Sequence, residues 1–284
     1  MALSQRARKP HRGHFALVLP LLLYLGIFYA YPVAAMMFRS VHEPNWTLAN
    51  FTKIFQTGAY LGVLWLTIRI SFVVTVLALL LGYPVAYVLA RIGRAKSNLL
   101  MILVLVPLWT SILVRTYAWM VLLGRQGLVN QLLIALGVIE EPIRLLNTTF
   151  AVYVAMVHVL LPLMILPLYG VLRGIDENLL RAAQGLGATP SGVFRQVVLP
   201  LSLPGVSAGC LLVFILALGF FITPALVGGP QDLMISVLIQ QQVDLINWPF
   251  ASALAVVLLV AALAIFAIFV RLVGVEQAFG RART

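Results

Sequence analysis

Six long apolar runs constrain what this chain can fold into more than any other feature of its sequence. A membrane-spanning helix needs about 20 consecutive, mostly apolar residues. Runs of that length occupy residues 15–38, 61–90, 99–123, 148–172, 205–227 and 250–272. The bilayer core offers no water to backbone amides and carbonyls, so each run is expected to form a helix. The sequence therefore predicts an all-α membrane protein with six transmembrane helices.

Composition excludes a soluble globular protein. Of the 284 residues, 62% are hydrophobic and 10% are charged, whereas soluble domains have about 45–50% apolar and about 25% charged residues. The formal net charge of +11 would suit a nucleic-acid partner, but the basic residues sit at the ends of apolar runs and form no continuous stripe. We therefore expect the lipid bilayer, and no nucleic acid, around this chain. The single cysteine, Cys210, excludes an intrachain disulfide.

The distribution of lysine and arginine predicts the orientation of the chain, because cytoplasmic loops carry an excess of these residues. Thirteen lie in the N-terminal arm, the loop after the second run, the segment after the fourth run and the tail. Four lie in the other loops, at Arg39, Lys53, Arg125 and Arg144. Both termini are therefore expected in the cytoplasm, as an arm (1–14) and a tail (273–284) that flank a transmembrane domain (15–272). The first run exceeds the roughly 7–15 residues of a secretory signal core, which favours an uncleaved span.

The segment between the fourth and fifth runs, about 175–200, has a different pattern. Asp176 and Glu177 lie where a helix start favours negative charge. Gly187 suits the end of that helix, and Pro190 suits the first position of a second one. The sequence predicts a short helix, a sharp turn and another helix on the cytoplasmic side, either docked into a partner's groove or lying on the membrane surface. The residues that can form one apolar face of the first helix are Leu179, Leu180, Ala182, Ala183 and Leu186.

The same segment resembles the signature of a known family. Arg181-Ala182-Ala183 is followed after three residues by Gly187, after nine more by Val197, and after one more by Leu199-Pro200. This is the spacing of the cytoplasmic motif Glu-Ala-Ala, Gly, Ile, Leu-Pro in the integral-membrane permease subunits of binding-protein-dependent bacterial ABC importers. Arg181 replaces the acid of that motif, and Val197 replaces its isoleucine. The resemblance implies that the residues coupled to the ATPase are Arg181, Ala182, Ala183, Gly187, Leu199 and Pro200.

Three further stretches, residues 82–87, 105–119 and 247–250, look like polyamine-type permeases of this family, which carry spermidine and putrescine. The candidate residues of the solute pathway are Trp109, Thr110, Arg115, Tyr117 and Thr223. In spermidine/putrescine permeases the fifth span often ends with an acid, and this chain has Thr223-Pro224 there instead. The solute class therefore stays open among polyamines, opines, amino-acid-like solutes and phosphonates.

The resemblance implies a type I importer fold, a place in the bacterial inner membrane and a division of labour. A soluble periplasmic binding protein captures the solute, two non-identical permease subunits form the pathway, and two copies of an ATPase subunit drive it. ATP and Mg²⁺ are expected on the ATPase, with no cofactor and no enzymatic activity on this chain. The chain has three lysines, none preceded by glycine, and so lacks a P-loop.

A secondary transporter or a channel subunit is the main alternative, and a membrane-embedded enzyme is another. An ion-coupled carrier is expected to have intramembrane acids and inverted repeats, and neither is evident. An enzyme needs clustered His, Asp or Cys, whereas His158 and Cys210 are isolated; His158 is expected to donate an interhelical hydrogen bond. Arg69 and Arg115 are the two charges within runs, predicted at similar depth in the outer leaflet. Either both extend to the outer membrane surface or bond to helix carbonyls, or at least one of them, Arg115 before Arg69, faces the subunit interface or the pathway and bonds to an acid or to helix carbonyls.

Overall fold

The computed structural model describes residues 13–42 and 45–273, and its regular elements there are α-helices and short π- or 3₁₀-helical turns. The predicted arm (1–14) and tail (273–284) lie almost entirely outside these residues. The α-helices are α1 (Gly13–Leu25), α2 (Tyr31–His42), α3 (Ala49–Gln56), α4 (Gly58–Arg91), α5 (Arg94–Trp109), α6 (Ile112–Leu123), α7 (Leu128–Ala135), α8 (Thr149–Arg173), α9 (Glu177–Gly185), α10 (Pro190–Val193), α11 (Leu199–Leu218), α12 (Ile222–Val227), α13 (Ile235–Asp244) and α14 (Trp248–Val273).

Five helical stretches in the described part of the chain are long and apolar enough to cross a membrane. They are Val18–His42, Gly58–Arg91, Thr149–Arg173, Pro190–Leu218 and Trp248–Arg271. A bent pair of helices over the third predicted run supplies a sixth crossing if the pair counts as one span. The prediction of an all-α membrane protein is thus confirmed.

The core of the described chain is formed by α4, α8 and α11, which pack closely against one another. Glycines allow this approach: a Cβ at Gly209 would lie 2.7 Å from the Met164 sulfur, and one at Gly205 would lie 3.1 Å from the Pro167 carbonyl oxygen. In a bilayer the lipid is as apolar as leucine, so helix association depends on close packing of this kind. A side chain at either glycine would therefore have to displace Met164 or the neighbouring backbone of α8.

The N-terminal helices lie at the edge of the described chain. α1 continues through a π-helical turn (Gly26–Ala30) into α2, which packs against α14. Most side chains of α2 are exposed, four are half-buried, and Ser40 is buried. A second, smaller cluster joins α3, α13 and α14 through buried residues that include Ile54, Ile235 and Phe250. The N-terminal helices therefore present a large apolar surface to lipid or to another subunit.

The predicted third span, 99–123, is a bent pair of helices rather than one straight helix. α5 ends at Trp109, and the helical axis turns by 95° before the helices over 112–135. Pro107 has no N–H to bond the carbonyl one turn earlier, and the Thr110 hydroxyl donates to the Pro107 carbonyl at 2.8 Å. Thr110 and Ser111 then have ψ angles of 147° and 136°, which interrupt the helix. The depth expected for Arg115 assumed a straight helix and no longer applies.

The predicted fifth span, 205–227, begins and ends earlier than expected. A continuous helix runs over Pro190–Leu218, with a π-helical turn at Phe194–Val198, and α12 is a separate short helix. Pro224 lacks the N–H that would bond the Phe220 carbonyl. The Ser236 hydroxyl of α13 donates to that carbonyl instead, at 2.6 Å. A residue distant in sequence therefore stabilises the break.

Candidate coupling and solute-pathway sites

The coupling segment (175–200) forms the helix, turn and second helix that the sequence predicts. The Asp176 carboxylate caps α9 and accepts from the Asn178 N–H at 2.9 Å. The Thr189 hydroxyl caps α10 and accepts from the Gly192 N–H at 3.2 Å, and Pro190 follows at the first helical position. Each cap satisfies an amide that a helix start leaves free. Local sequence therefore sets where both helices begin.

The turn between the two helices depends on Gly187. Its φ of +88° lies in the left-handed region, which glycine adopts without steric cost. The Gly187 N–H donates to the Gln184 carbonyl at 2.9 Å, and the Ala188 N–H donates to the Ala183 carbonyl at 3.1 Å. This pair of bonds is the Schellman motif, which ends many helices. The positive φ at this position therefore explains why the motif has a glycine there.

Apolar contacts fix the coupling segment to the transmembrane core. Leu180 of α9 and Val193 of α10 are buried in the main core cluster. Phe194 packs edge-on against the rings of Tyr83 and Tyr87 of α4, with centroid distances of 5.9 and 5.7 Å. Aromatic pairs of this kind contribute about 0.5–1.5 kcal/mol each beyond their buried area. The segment is therefore packed directly against α4.

Arg173 joins the end of α8 to the end of α4 beside the coupling segment. Its Nη1 donates to the carbonyl oxygens of Ala90 at 2.7 Å and Ile92 at 3.1 Å. Carbonyls at the end of a helix have no partner within the helix, and a cation there is favoured by the helix dipole. The two helix ends nearest the coupling segment are thereby held together.

The apolar residues of α9 do not form the single face that was expected. Leu180 is buried, whereas Leu179 is exposed and Leu186 is 90% exposed at the turn itself. Leu186 was missing from the predicted coupling residues. The sequence feature that could have identified it is a leucine directly before the glycine that ends the helix, in a segment where another leucine, Leu180, is buried in the core. Leu199 and Pro200, which were predicted to contact the ATPase, are exposed at the start of α11.

Arg181 pairs within its own helix. Its Nη2 lies 3.2 Å from the Glu177 carboxylate one turn earlier, and each side chain is 74% exposed. An exposed pair with this spacing contributes only about 0.3–0.5 kcal/mol. Of its neighbours in the motif, Ala182 is exposed and Ala183 is half-buried. Arg181 thus places a cation where the family motif has an acid, and Glu177 lies one turn away. Both side chains are accessible to a partner protein.

A buried clamp lies at the opposite end of α8 from the coupling segment. Asp232 is 1% exposed, and its carboxylate accepts from the Thr149 hydroxyl and from the Gly229 N–H. The Asn147 N–H donates to the Val227 carbonyl at 3.0 Å. Hydrogen bonds to a charged group contribute about 1.5–3 kcal/mol each. The clamp therefore ties the start of α8 to the loop that follows α12.

Thr223, a predicted pathway residue, is fully buried in α12. Its hydroxyl lies 3.1 Å from the Thr116 hydroxyl, so it joins α12 to α6. The other predicted pathway residues lie at or after the bend between α5 and α6. Trp109 is 79% exposed and Tyr117 is 55% exposed, and Thr110 is exposed as well. The structure thus places these three on an open surface and Thr223 in the interior, rather than bringing them together.

Arg115 lies one turn before Trp119 on α6. The Trp119 indole N–H donates to His158 Nδ1 of α8 at 3.0 Å, so His158 makes an interhelical hydrogen bond as an acceptor and not as the expected donor. Arg115 is half-buried, and among the described residues its Nε and Nη1 have no hydrogen-bond partner. Within the described residues, neither of these two nitrogens therefore makes the expected hydrogen bond to an acid or a helix carbonyl.

Arg69 has a different environment. It is exposed, and it lines a groove of about 550 Å³ between α4, α11 and α14, together with side chains that include Trp65, Phe72, Cys210 and Phe214. The groove is almost entirely apolar and offers a polar solute few hydrogen-bonding groups. The two arginines predicted at similar depth thus differ in burial and in surroundings. Within residues 13–42 and 45–273, no group of three His, Cys, Asp or Glu side chains could hold a metal ion.

The chain is similar to known membrane transport proteins over most of its length. The family described as binding-protein-dependent transport system inner membrane component matches residues 78–274. The chain is 38% identical over 252 residues to the spermidine/putrescine transport system permease protein PotB of Haemophilus influenzae, covering 85% of this chain and 83% of that protein. It is 31% identical over 292 residues to the inner membrane ABC transporter permease protein YdcU of Escherichia coli, covering 95% of this chain and 92% of that protein.

Solved structures share the fold. A crystal structure of a bacterial ABC transporter involved in the import of the acidic polysaccharide alginate contains a chain that matches with a TM-score of 0.73 at 18% identity, covering 91% of this chain and 93% of that one. The same type of transporter, crystallised with an alginate pentasaccharide-bound periplasmic protein, matches with a TM-score of 0.74. At this identity the likeness establishes the fold alone. The family match and the close relatives establish more: this chain belongs to the family of inner membrane components of binding-protein-dependent transport systems.

Proposed function

We propose that this chain forms half of the pathway through which an ATP-driven importer takes up a small linear organic cation of the polyamine class. Its family makes it a permease subunit of an ABC importer. The observation that carries the solute class is the 38% identity, over 85% of the chain, to a permease of spermidine and putrescine. The spans described here contain no acid, so the carboxylates that would attract a cation come from the other subunits.

A second candidate is a solute with an anionic group, such as an amino-acid-like compound or a phosphonate. Arg115 favours it, because two of its nitrogens lack a partner in the described chain. An arginine fork binds a carboxylate or a phosphonate through two parallel hydrogen bonds. A cationic solute would instead be repelled by an uncompensated Arg115 in a narrow path of low dielectric.

The partners that we propose are a second, non-identical permease, two copies of an ATPase subunit and a soluble periplasmic binding protein. We place the coupling segment against the ATPase, which binds ATP and Mg²⁺. Its exposed Leu186 and its firmly buried Leu180 support this placement, since a docking helix needs an exposed contact and an anchor that transmits force. Both termini and the coupling segment then lie on the cytoplasmic side of the bacterial inner membrane.

The solute class is tested by uptake into proteoliposomes. The chain is purified with its partner permease, ATPase and receptor, and ATP-dependent uptake of labelled spermidine is compared with that of labelled glutamate and of a phosphonate. We expect saturable uptake of spermidine alone. Uptake of an anionic solute with none of spermidine would show that the polyamine assignment is wrong and would favour the second candidate.

The docking role is tested separately with Leu186→Ser. The matched control is Leu245→Ser, because Leu245 is also an exposed leucine (71%) but lies beyond the end of α13, away from the coupling segment. We expect the first variant to lose ATPase subunits during purification and the second to retain them. Equal retention in both variants would remove Leu186 from the docking surface.

A further inference from the structure

Arg115 is the one charged residue of the described chain that has buried side-chain nitrogens without a hydrogen-bond partner. It is half-buried on α6, and its Nε and Nη1 are covered by protein atoms without any hydrogen-bond partner there. Buried polar groups in native proteins are almost always paired, and an unpaired charge is the most unfavourable exception. A group of this kind points to a partner that the chain itself does not provide.

The immediate surroundings of Arg115 contribute donors and no acid. The indole N–H of Trp119, one turn further along α6, is already used by His158 Nδ1. A neutral histidine whose Nδ1 accepts a hydrogen bond has its proton on Nε2, so that nitrogen is a donor too. Arginine offers five N–H donors and no acceptor. The missing partner of this cluster is therefore an acceptor, and a negative charge would compensate the guanidinium.

The acids of the described chain are engaged elsewhere or lie in exposed loops and helix ends. Asp232 accepts from Thr149 and Gly229, Asp244 accepts from Gln240, and Glu177 pairs with Arg181. Those left are Glu140 and Glu141, in the loop after α7, and Asp176, which caps α9. None of them has a hydrogen bond or an ion pair to Arg115. The compensating charge must come from outside these residues.

We infer that a carboxylate of the second permease subunit docks onto Arg115 and completes the interface between the two halves of the pathway. α6 presents exposed side chains on the neighbouring face, at Val114, Tyr117 and Val121, so the helix is open to another protein surface. The choice of a subunit over the solute rests on the proposed function, because a polyamine has no carboxylate. Arginine suits this role, since its planar fork matches a carboxylate in two places.

The experiment uses the complete importer and measures assembly apart from transport. Arg115→Gln, Arg115→Lys and Arg115→Glu are each copurified with the second permease, and the fraction of intact complex is read by size-exclusion chromatography. Arg69→Gln is the matched control, because Arg69 is the other charge within the apolar runs of the sequence but is exposed. In a second step, each acid of the second permease is changed to Arg in combination with Arg115→Glu.

We expect Arg115→Gln to lower the yield of intact complex on the order of tenfold or more, because it leaves a buried charge unpaired across an interface. Arg115→Lys should retain part of the yield, and Arg69→Gln all of it. One acid-to-Arg change in the second permease should restore assembly of Arg115→Glu.

Three outcomes would overturn the inference. They are normal assembly of Arg115→Gln, failure of every reversed acid to restore Arg115→Glu, and intact assembly with lost spermidine uptake, which would place the partner of Arg115 in the pathway. Absence of spermidine uptake in the parent complex would contradict the proposed function alone, because the assembly measurement does not depend on the solute.

Discussion

Replacing Gly187 with valine isolates the conformational role of the turn in the coupling segment. A Cβ at this position would meet no atom within 4 Å, so the substitution removes no packing and introduces no clash. What it changes is the backbone, because φ is +88° and a β-branched residue strongly disfavours that region.

The magnitude follows from that single cause. A residue other than glycine in the left-handed region costs roughly 1–2 kcal/mol, and valine lies at or above the upper end of this range. Such a cost lowers the population of the native turn about 5–30-fold relative to competing conformations. The residue is exposed and lies outside the spans, so membrane insertion and the packing of α4, α8 and α11 should be unchanged.

The assay is spermidine uptake per ATP hydrolysed by the importer in proteoliposomes. We expect Gly187→Val to lower this ratio several-fold, and Gly187→Asn to retain most of it because asparagine tolerates left-handed backbone. The matched control is Gly185→Val, since Gly185 is a helical residue whose Cβ would also meet nothing within 4 Å. Valine is no worse than glycine inside a helix. Parent-level coupling in Gly187→Val, or an equal loss in Gly185→Val, would refute the reasoning.

Three further predictions concern other parts of the molecule. Reporter fusions at Lys96 and Arg125 should report opposite sides of the membrane, with Lys96 cytoplasmic; the same side for both would contradict the proposed topology. Asp232→Asn should lower the free energy of unfolding by about 1.5–3 kcal/mol, seen as a lower midpoint in thermal unfolding of the purified chain, and an unchanged midpoint would show that the clamp is not stabilising. Gly209→Val should sharply reduce the yield of folded protein, because a Cβ there would lie 2.7 Å from the Met164 sulfur, whereas a Cβ at Gly62 would meet nothing within 4 Å and Gly62→Val should fold normally. Equal yields of the two variants would contradict this account of the packing.

The elements that could be predicted from sequence are those fixed by local chemistry. Asp176 and Thr189 cap the helices that follow them, and Gly187 has the positive φ expected for a helix-ending glycine. These interactions span two to five residues, so they are visible in the sequence itself. The apolar spans are equally local, because their length alone makes the bilayer their solvent.

The breaks in the third and fifth predicted spans could not be located in the same way. The runs on both sides of Thr110 and of Phe220 are apolar, and proline within a span is tolerated when other groups satisfy the freed carbonyls. At Phe220 that group is Ser236, which is 16 positions away. For the Nε and Nη1 atoms of Arg115, the described chain contains no partner at all. A sequence shows which carbonyls and charges need partners, but tertiary and quaternary structure decide which partners they find.

The break at Phe220 lies at the end of a long helix that begins in the coupling segment. The stretch Pro190–Leu218 has 29 residues, which is about 43 Å at 1.5 Å per residue. It begins in the coupling segment and ends where Gly219 leaves the helical conformation. The helix is unbroken over this stretch, although it contains a π-helical turn and Pro204, so we expect a displacement of its start to move its end. Just beyond that end, Thr223 is hydrogen-bonded to Thr116, the residue that follows Arg115 on α6. In the proposed importer, movement that begins at the ATPase would therefore reach 219–221 and, through Thr223 and Thr116, would shift the helix that we propose meets the second permease.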